Sequence, residues 1–266
     1  MLIDTHCHLD APEFAADRSE VINRAVAAGV KAVLIPAVQA DNFDTVRQLA
    51  HSFVQGCYAL GIHPMYVQHA QPGDLDKLKL ALKAHQHDPK LIAVGEIGLD
   101  FFIPEISVGE ARRQQEYFYE AQLDLAMQFK LPVLLHVRRS QDTLLKYLRA
   151  RSRIGGFAHA FNGSLQQAQQ FVDLGFALGM GGAMTYSRAL QIQRIAKTIS
   201  LEALVLETDS PDIAPAWLST DRRNTPGQVL GVAKFLGDLR GQTIEQVIEA
   251  TGQTAKRICP RLGTAF

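Results

Sequence analysis

The chain has 266 residues, a length suited to one large barrel or to two modest domains. Hydrophobic residues make up 47% and charged residues 20%, an ordinary globular balance that excludes disorder, collagen-like repeats and coiled coil. Lysine plus arginine and aspartate plus glutamate both number 27, so a broad basic surface tracking nucleic-acid phosphates is excluded and an anionic ligand must be met locally.

Short apolar runs alternate with longer helix-like segments along the whole chain. The strand candidates are Leu2–Asp4, Ala32–Pro36, Gln55–Gly61, Leu91–Ile97, Val133–His136, Gly156–His159, Phe176–Gly179 and Ala203–Glu207. Most are apolar throughout and bounded by Gly or Pro, as expected of strands covered on both faces. The segments between them have helical periodicity; in Arg113–Phe129, Phe118, Leu123, Leu125, Ala126 and Phe129 fall near one stripe. Helix stops are expected at Gly29, Gly175 and Gly241, and ahead of Pro132. The last outer helix is expected within Thr225–Gly237, and Thr243–Ile258 reads as one or two short terminal helices. This alternation fits an α/β chain folded as a (β/α)8 TIM barrel. A doubly wound sheet or two smaller α/β domains have the same periodicity. No linker or composition break divides the chain, so a single domain over 1–266 is expected.

The beginning is polar within four residues, so no secretory leader is expected, and no apolar run reaches the about 18–20 residues of a membrane helix. Cys7, Cys57 and Cys259 are odd in number and far apart, which implies no disulfide framework. A soluble cytoplasmic protein is the expectation.

Of the 9 histidines, His51, His69, His85 and His87 lie among polar neighbours and read as solvated. The others sit at or just beyond predicted strand ends: His6 and His8, His63, His136 and His159. Glu96 and Asp209 do the same. In a parallel barrel all carboxyl ends of the strands meet on one face, so these side chains would converge on one mouth. The period of two sends His6 and His8 to the same side and Cys7 to the other. Imidazoles with carboxylates, and no thiolate pair, suit zinc, manganese or iron.

The same stretches resemble the TatD-type metal-dependent deoxyribonucleases. The likeness runs from Asp4-Thr5-His6-Cys7-His8-Leu9-Asp10 through Gly61-Ile62-His63-Pro64, Gly95-Glu96-Ile97-Gly98-Leu99-Asp100-Phe101 and Pro132-Val133-Leu134-Leu135-His136-Val137-Arg138. It continues in His159-Ala160-Phe161-Asn162-Gly163, Glu207-Thr208-Asp209-Ser210-Pro211 and Arg223-Asn224-Thr225-Pro226, in order over essentially the whole chain. The resemblance implies a TIM-barrel hydrolase related to the amidohydrolases, with two or more divalent cations. It implies that His6, His8, Glu96 and Asp209 hold a first metal and that Glu96, His136 and His159 hold a second, with Glu96 bridging. It further implies hydrolysis of DNA phosphodiesters, in characterised members as a 3′-to-5′ exonuclease. Phe101 stands where a tyrosine is frequent, and Thr225 where an acidic residue is often seen, so substrate preference need not carry over.

Two bridged cations (Zn, Mg or Mn) lie about 3.5–4 Å apart and share a water of lowered pKa, the expected nucleophile. Glu96 and Asp209 are then the catalytic carboxylates, Asp209 as candidate general base. His63 and Arg138 are the candidate contacts to substrate phosphate; for Arg138 an ion pair behind the site is the competing role. Asp100 is expected to orient a histidine N–H, and Arg223 and Asn224 to contact phosphate or to cap the following helix. Gly179-Met180-Gly181-Gly182 has the look of a phosphate loop, and Trp217 could stack on a base or pack on the barrel. No interleaved basic and aromatic stripe of the kind used by single-strand binders is visible. The expected partner is DNA or a smaller phosphodiester, with no membrane and no obligate protein partner. The competing functions are cleavage of a C–N or ester bond by the same metal pair, hydrolysis of a small phosphorylated metabolite, and a binding barrel whose metals only staple the core.

Overall fold

In the computed structural model, which describes every residue except 72, 152–153, 219–221 and 265–266, one 8-stranded sheet pairs in parallel in strict chain order. The strands are β1 (Leu2–Asp4), β2 (Val30–Pro36), β3 (Gly56–Leu60), β4 (Leu91–Asp100), β5 (Val133–Arg138), β6 (Gly156–His159), β7 (Phe176–Met180) and β8 (Leu204–Leu206). The helices are α1 (Arg18–Ala27), α2 (Phe43–His51), α3 (Gly73–Ala84), α4 (Gly109–Phe129), α5 (Gln141–Arg149), α6 (Leu165–Asp173), α7 (Leu190–Thr198), α8 (Val229–Arg240) and α9 (Ile244–Ile258). The two ends of the sheet meet. Thr5 N–H donates to the Leu206 carbonyl at 3.0 Å, Asp209 N–H to the His6 carbonyl at 2.8 Å, and Cys7 bridges Ser210 in parallel. The result is the expected TIM barrel.

Several strand ends shift by one or two residues from the sequence expectation, and two differences matter more. β4 runs past Ile97 to Asp100, so Glu96 lies within the strand rather than at its end. Pro226 opens a 3-10 turn, Pro226–Gln228, and α8 begins only after it. Gly29, Gly175 and Gly241 have φ of 90°, 87° and 66° at helix ends, as expected. Thr243–Ile258 holds one helix, because Thr243 and Gln246 cap its start reciprocally. Among the described residues no helix is long and apolar enough to cross a membrane.

The period of two along each strand divides the core. Val33, Ile35, Tyr58, Leu60, Val133 and Leu135 pack outward with the helices. Ile3, Leu34, Ile92, Leu134, Phe157 and Val205 fill the interior. Ala255 and Cys259 of the C-terminal segment, with Leu262, belong to this interior group, and the Cys259 thiol reaches the Ile92 carbonyl at 3.2 Å. Two residues further along three of these strands, Leu134 gives way to His136, Phe157 to His159 and Val205 to Glu207. The interior thus turns polar at the carboxyl ends of the strands.

Candidate metal centre

The chain just after β1 is tied to the chain just after β8 by Asp4. Its Oδ1 accepts from the backbone N–H of His6 at 3.3 Å and of Thr208 at 2.9 Å, and its Oδ2 from the Thr208 hydroxyl at 2.6 Å. Cys7 turns away as the alternation requires and is buried, its Sγ 3.2 Å from Ser210 Oγ. His6 and His8 turn the other way, with their Nε2 atoms 3.1 Å apart. Asp209 takes a left-handed backbone, φ 55°, a conformation aspartate tolerates better than most residues. Its Oδ1 lies 3.5 Å from His6 Nε2 and 3.7 Å from His8 Nε2. Asn224 braces this loop by donating to the carbonyls of Thr208 at 2.8 Å and Asp212 at 3.0 Å. Arg223 grips both oxygens of Asp17 and lowers that carboxyl's pKa. Both residues therefore brace loops.

Glu96 enters the mouth where the β4–β5 register shifts between Val94 and Ile97; its N–H crosses to the Ala37 carbonyl at 3.0 Å. A Cβ on Gly95 would lie 2.5 Å from Leu134 Cβ, so glycine is required for this approach. The carboxylate faces two ways. Oε2 lies 3.1 Å from His6 Nε2 and 3.4 Å from His8 Nε2, while Oε1 lies 2.9 Å from His136 Nδ1 and 3.3 Å from His63 Nε2.

Outer partners set the tautomers. His136 Nε2 faces Asp100 Oδ2 at 3.0 Å, which puts its proton there and leaves the Nδ1 lone pair toward Glu96. His159 stacks on His6 with ring centroids 3.7 Å apart; its Nδ1 is 3.2 Å from Glu207 Oε1 and its Nε2 3.7 Å from Asp209 Oδ2. His63 is arranged the other way. Its Nδ1 accepts the Met65 N–H at 3.2 Å, so in the neutral ring Nε2 carries the proton, 3.0 Å from His136 Nδ1.

Burial would raise the Glu96 carboxyl, but His63, His6 and His136 hold it well below the ordinary range. Burial, with His159 alongside, pushes His6 well down, and burial takes His63 to about 4. Burial also opposes charge on His8 and His159, yet Glu96 raises the first to about 9, and Asp209 and Glu207 raise the second to about 10. Burial lifts Asp209 to about 6.

These residues fit a divalent cation. The acceptor atoms converge, and Glu96 Oε2, though buried, has no hydrogen-bond donor. Among the described residues, His6, His8 and Asp209 form one ligand group, His6, Glu96 and His159 a second, and His63, Glu96 and His136 a third. Imidazole and carboxylate atoms make up all of them, a donor set for zinc or manganese. His6, His8, Glu96, His136, His159 and Asp209 are thus brought together at one mouth, although His136 and His159 fall in different groups, their centroids 6.3 Å apart.

His63, expected at the mouth as a contact to substrate phosphate, is buried and directed at Glu96 and His136. Arg138 lies outside the cluster, half exposed, with Nη1 3.7 Å from Asp100 Oδ2. Asp100 does orient a histidine, His136. Gly179, inside β7, makes room for a carboxylate rather than offering a phosphate loop: a Cβ there would lie 2.1 Å from Glu207 Oε2, and one on Gly182 would lie 2.1 Å from the Ile213 carbonyl. Trp217 is half exposed, packed over Gly231 and donating to Gln228 at 2.8 Å. Glu207 and Asp4 were not among the expected site residues. The signal for Glu207 was its place two residues before Asp209, at the polar end of an apolar strand.

A parallel barrel with imidazoles and carboxylates gathered at the carboxyl ends of its strands defines a metal-dependent hydrolase. The family model described as TatD related DNase matches residues 3–260. The chain belongs to that family. It is 38% identical over 249 residues to YjjV of Escherichia coli (strain K12), described as an uncharacterized metal-dependent hydrolase, covering 93% of each. It is 32% identical over 270 residues to the human protein named deoxyribonuclease TATDN3, covering 98% of this chain and 95% of that one. The crystal structure of the Escherichia coli TatD homologue YjjV superposes with a TM-score of 0.90 at 36% identity, over 97% of this chain and 98% of that one.

Proposed function

We propose that the chain, acting as a single domain over residues 1–266, hydrolyses DNA phosphodiester bonds with two divalent cations held at the mouth of the barrel. The observation that carries this is the way Glu96 turns one oxygen to His6 and His8 and the other to His136. A carboxylate so placed would bridge two cations. His6, His8 and Asp209 would complete one set, His136 and His159 the other. The name of the human relative supports DNA as the substrate.

When bound, such cations polarise phosphoryl oxygens and acidify water (zinc, manganese and magnesium all do so). The protein does the rest. Asp100 and Glu207 hold the His136 and His159 rings in register. Asp209, at the open side of the cluster, would take the proton of the attacking water. His63 would present its Nε2–H to a phosphoryl oxygen; its Nδ1 is already engaged by Met65 N–H, which suits a donor better than a ligand. No second protein is required for these roles. The free, buried thiols of Cys7, Cys57 and Cys259 suit the cytoplasm.

The test is turnover by the purified chain after exhaustive chelation and after return of Zn²⁺, Mn²⁺ or Mg²⁺. Its substrates are oligonucleotides, bis-aryl phosphodiesters, small amides and carboxylic esters. Metal-restored cleavage of oligonucleotides is expected. Amide or ester cleavage without any phosphodiester turnover would overturn the proposal, as would full activity at an empty site.

A further inference from the structure

Beside the mouth, where β4 and β5 end, stands a cluster that the proposed chemistry leaves unused. Arg138 is the last residue of β5 and Arg139 follows it. Consecutive side chains on a strand point to opposite faces. Arg139 breaks that alternation with a left-handed backbone, φ 55°. Both guanidiniums consequently reach one ring, with Cζ of Arg138 3.9 Å and Cζ of Arg139 4.7 Å from the centroid of Phe102. The ring is 44% exposed, and both arginines are exposed.

A guanidinium seated over an aromatic face is held in place while its N–H edge stays open to an anion. Neighbouring arginines are differently engaged. Arg112 is paired with Glu116, Arg113 with Glu110, and Arg151 with Asp124. Among the described residues Arg138 has only the longer ion pair, to Asp100, and no carboxylate lies within ion-pair distance of Arg139. In a chain of zero net charge this is a local excess of positive charge.

We propose that Phe102, Arg138 and Arg139 form a clamp for a phosphate of the substrate strand other than the one being cleaved. This rests on the phosphodiesterase function proposed above. Asp100 fixes the geometry: its Oδ2 lies 3.0 Å from His136 Nε2 and 3.7 Å from Arg138 Nη1, so an anion on the clamp sits outside the metal ligands, across that carboxylate. Contact with phosphate alone carries no sequence information, so the clamp selects for chain length rather than base identity.

The test uses the double variant Arg138→Gln/Arg139→Gln and the single variant Phe102→Leu, which keeps both charges. Binding of a labelled single-stranded oligonucleotide is followed by fluorescence anisotropy across a salt series. Kinetics of the metal-loaded enzyme are measured on the oligonucleotide and on bis(4-nitrophenyl) phosphate, which has a single phosphate. The double variant should bind the oligonucleotide roughly tenfold or more weakly. Its salt dependence should be shallower by about one in the log–log slope. Its KM for the oligonucleotide should rise more than for the aryl diester, with kcat moving less than KM. Phe102→Leu should weaken binding while keeping the wild-type salt slope. Unchanged oligonucleotide affinity and salt slope in the double variant, or equal losses on both substrates, would overturn the clamp. Absence of all phosphodiester turnover in the wild type would instead overturn the underlying function, and the anisotropy series would still decide the clamp.

Discussion

The two ends of the barrel are built from the same strands by the same alternation, and they hold opposite contents. At the amino ends Ile3, Leu34, Ile92, Leu134, Phe157 and Val205 pack without polar atoms, stoppered by Cys259 and Leu262. At the carboxyl ends the next inward positions are His136, His159 and Glu207, joined by Glu96. The lower end gains from every contact, since apolar burial is favourable and the backbone is satisfied by the sheet. The upper end leaves Glu96 Oε2 buried without a hydrogen-bond donor. A buried polar atom without a partner is costly, and this one lies among converging imidazoles where a cation would complete it. Stability therefore resides at one end of this barrel and chemistry at the other.

The sharpest way to break that contrast is Glu96→Ala. It should cost at least one bound metal and several orders of magnitude in turnover, because both halves of the cluster depend on its two oxygens; metal analysis of the purified variant alongside kinetics checks this. At the opposite end, Ile92→Ala should lose about 2–5 kcal/mol of stability in denaturant titrations of the metal-free protein. Metal stoichiometry of the folded variant should not change. If it does, the two ends are coupled and the contrast fails. His63→Ala should keep its metals and lose roughly 10²–10³-fold in phosphodiester turnover, as for removal of one transition-state donor. Loss of a metal in that variant would instead make His63 a ligand. Asp100→Asn should have the smallest effect on the metal centre, about 10–100-fold in metal affinity or rate, since it disturbs the orientation of His136 without removing a ligand; competition with a chromogenic chelator would measure it.

Much of the upper end was legible in the chain because its residues break an otherwise apolar pattern. A histidine or carboxylate closing a run such as Val133–Leu135 or Phe157–Ala158 cannot be explained by strand packing, and parallel strands bring such ends together. The outer partners were legible only unevenly. Asp100 follows directly from a marked strand and Glu207 closes one, but that Glu207 turns to His159 became visible only where Gly179 makes room for its carboxylate. The direction of the His63 ring was not legible, because a residue between Ile62 and Pro64 gives none. The Met65 N–H that fixes that ring is a backbone contact, invisible in the order of side chains.

From the sequence alone came the alternation of strands and helices, the polarity switch at the strand ends and the choice of nitrogen and oxygen donors. These depend on local period and residue chemistry, which a linear chain displays. Tertiary structure alone decided that Glu96 turns an oxygen to each side, that His159 stacks on His6, and that Phe102 gathers two arginines. No basic and aromatic stripe exists in the linear order, yet one forms where β4 and β5 end side by side. The physical reason is range. Charge, hydrogen bonding and ring stacking act over a few ångströms, and which groups come that close is set by barrel closure and by single backbone turns such as those at Arg139 and Asp209.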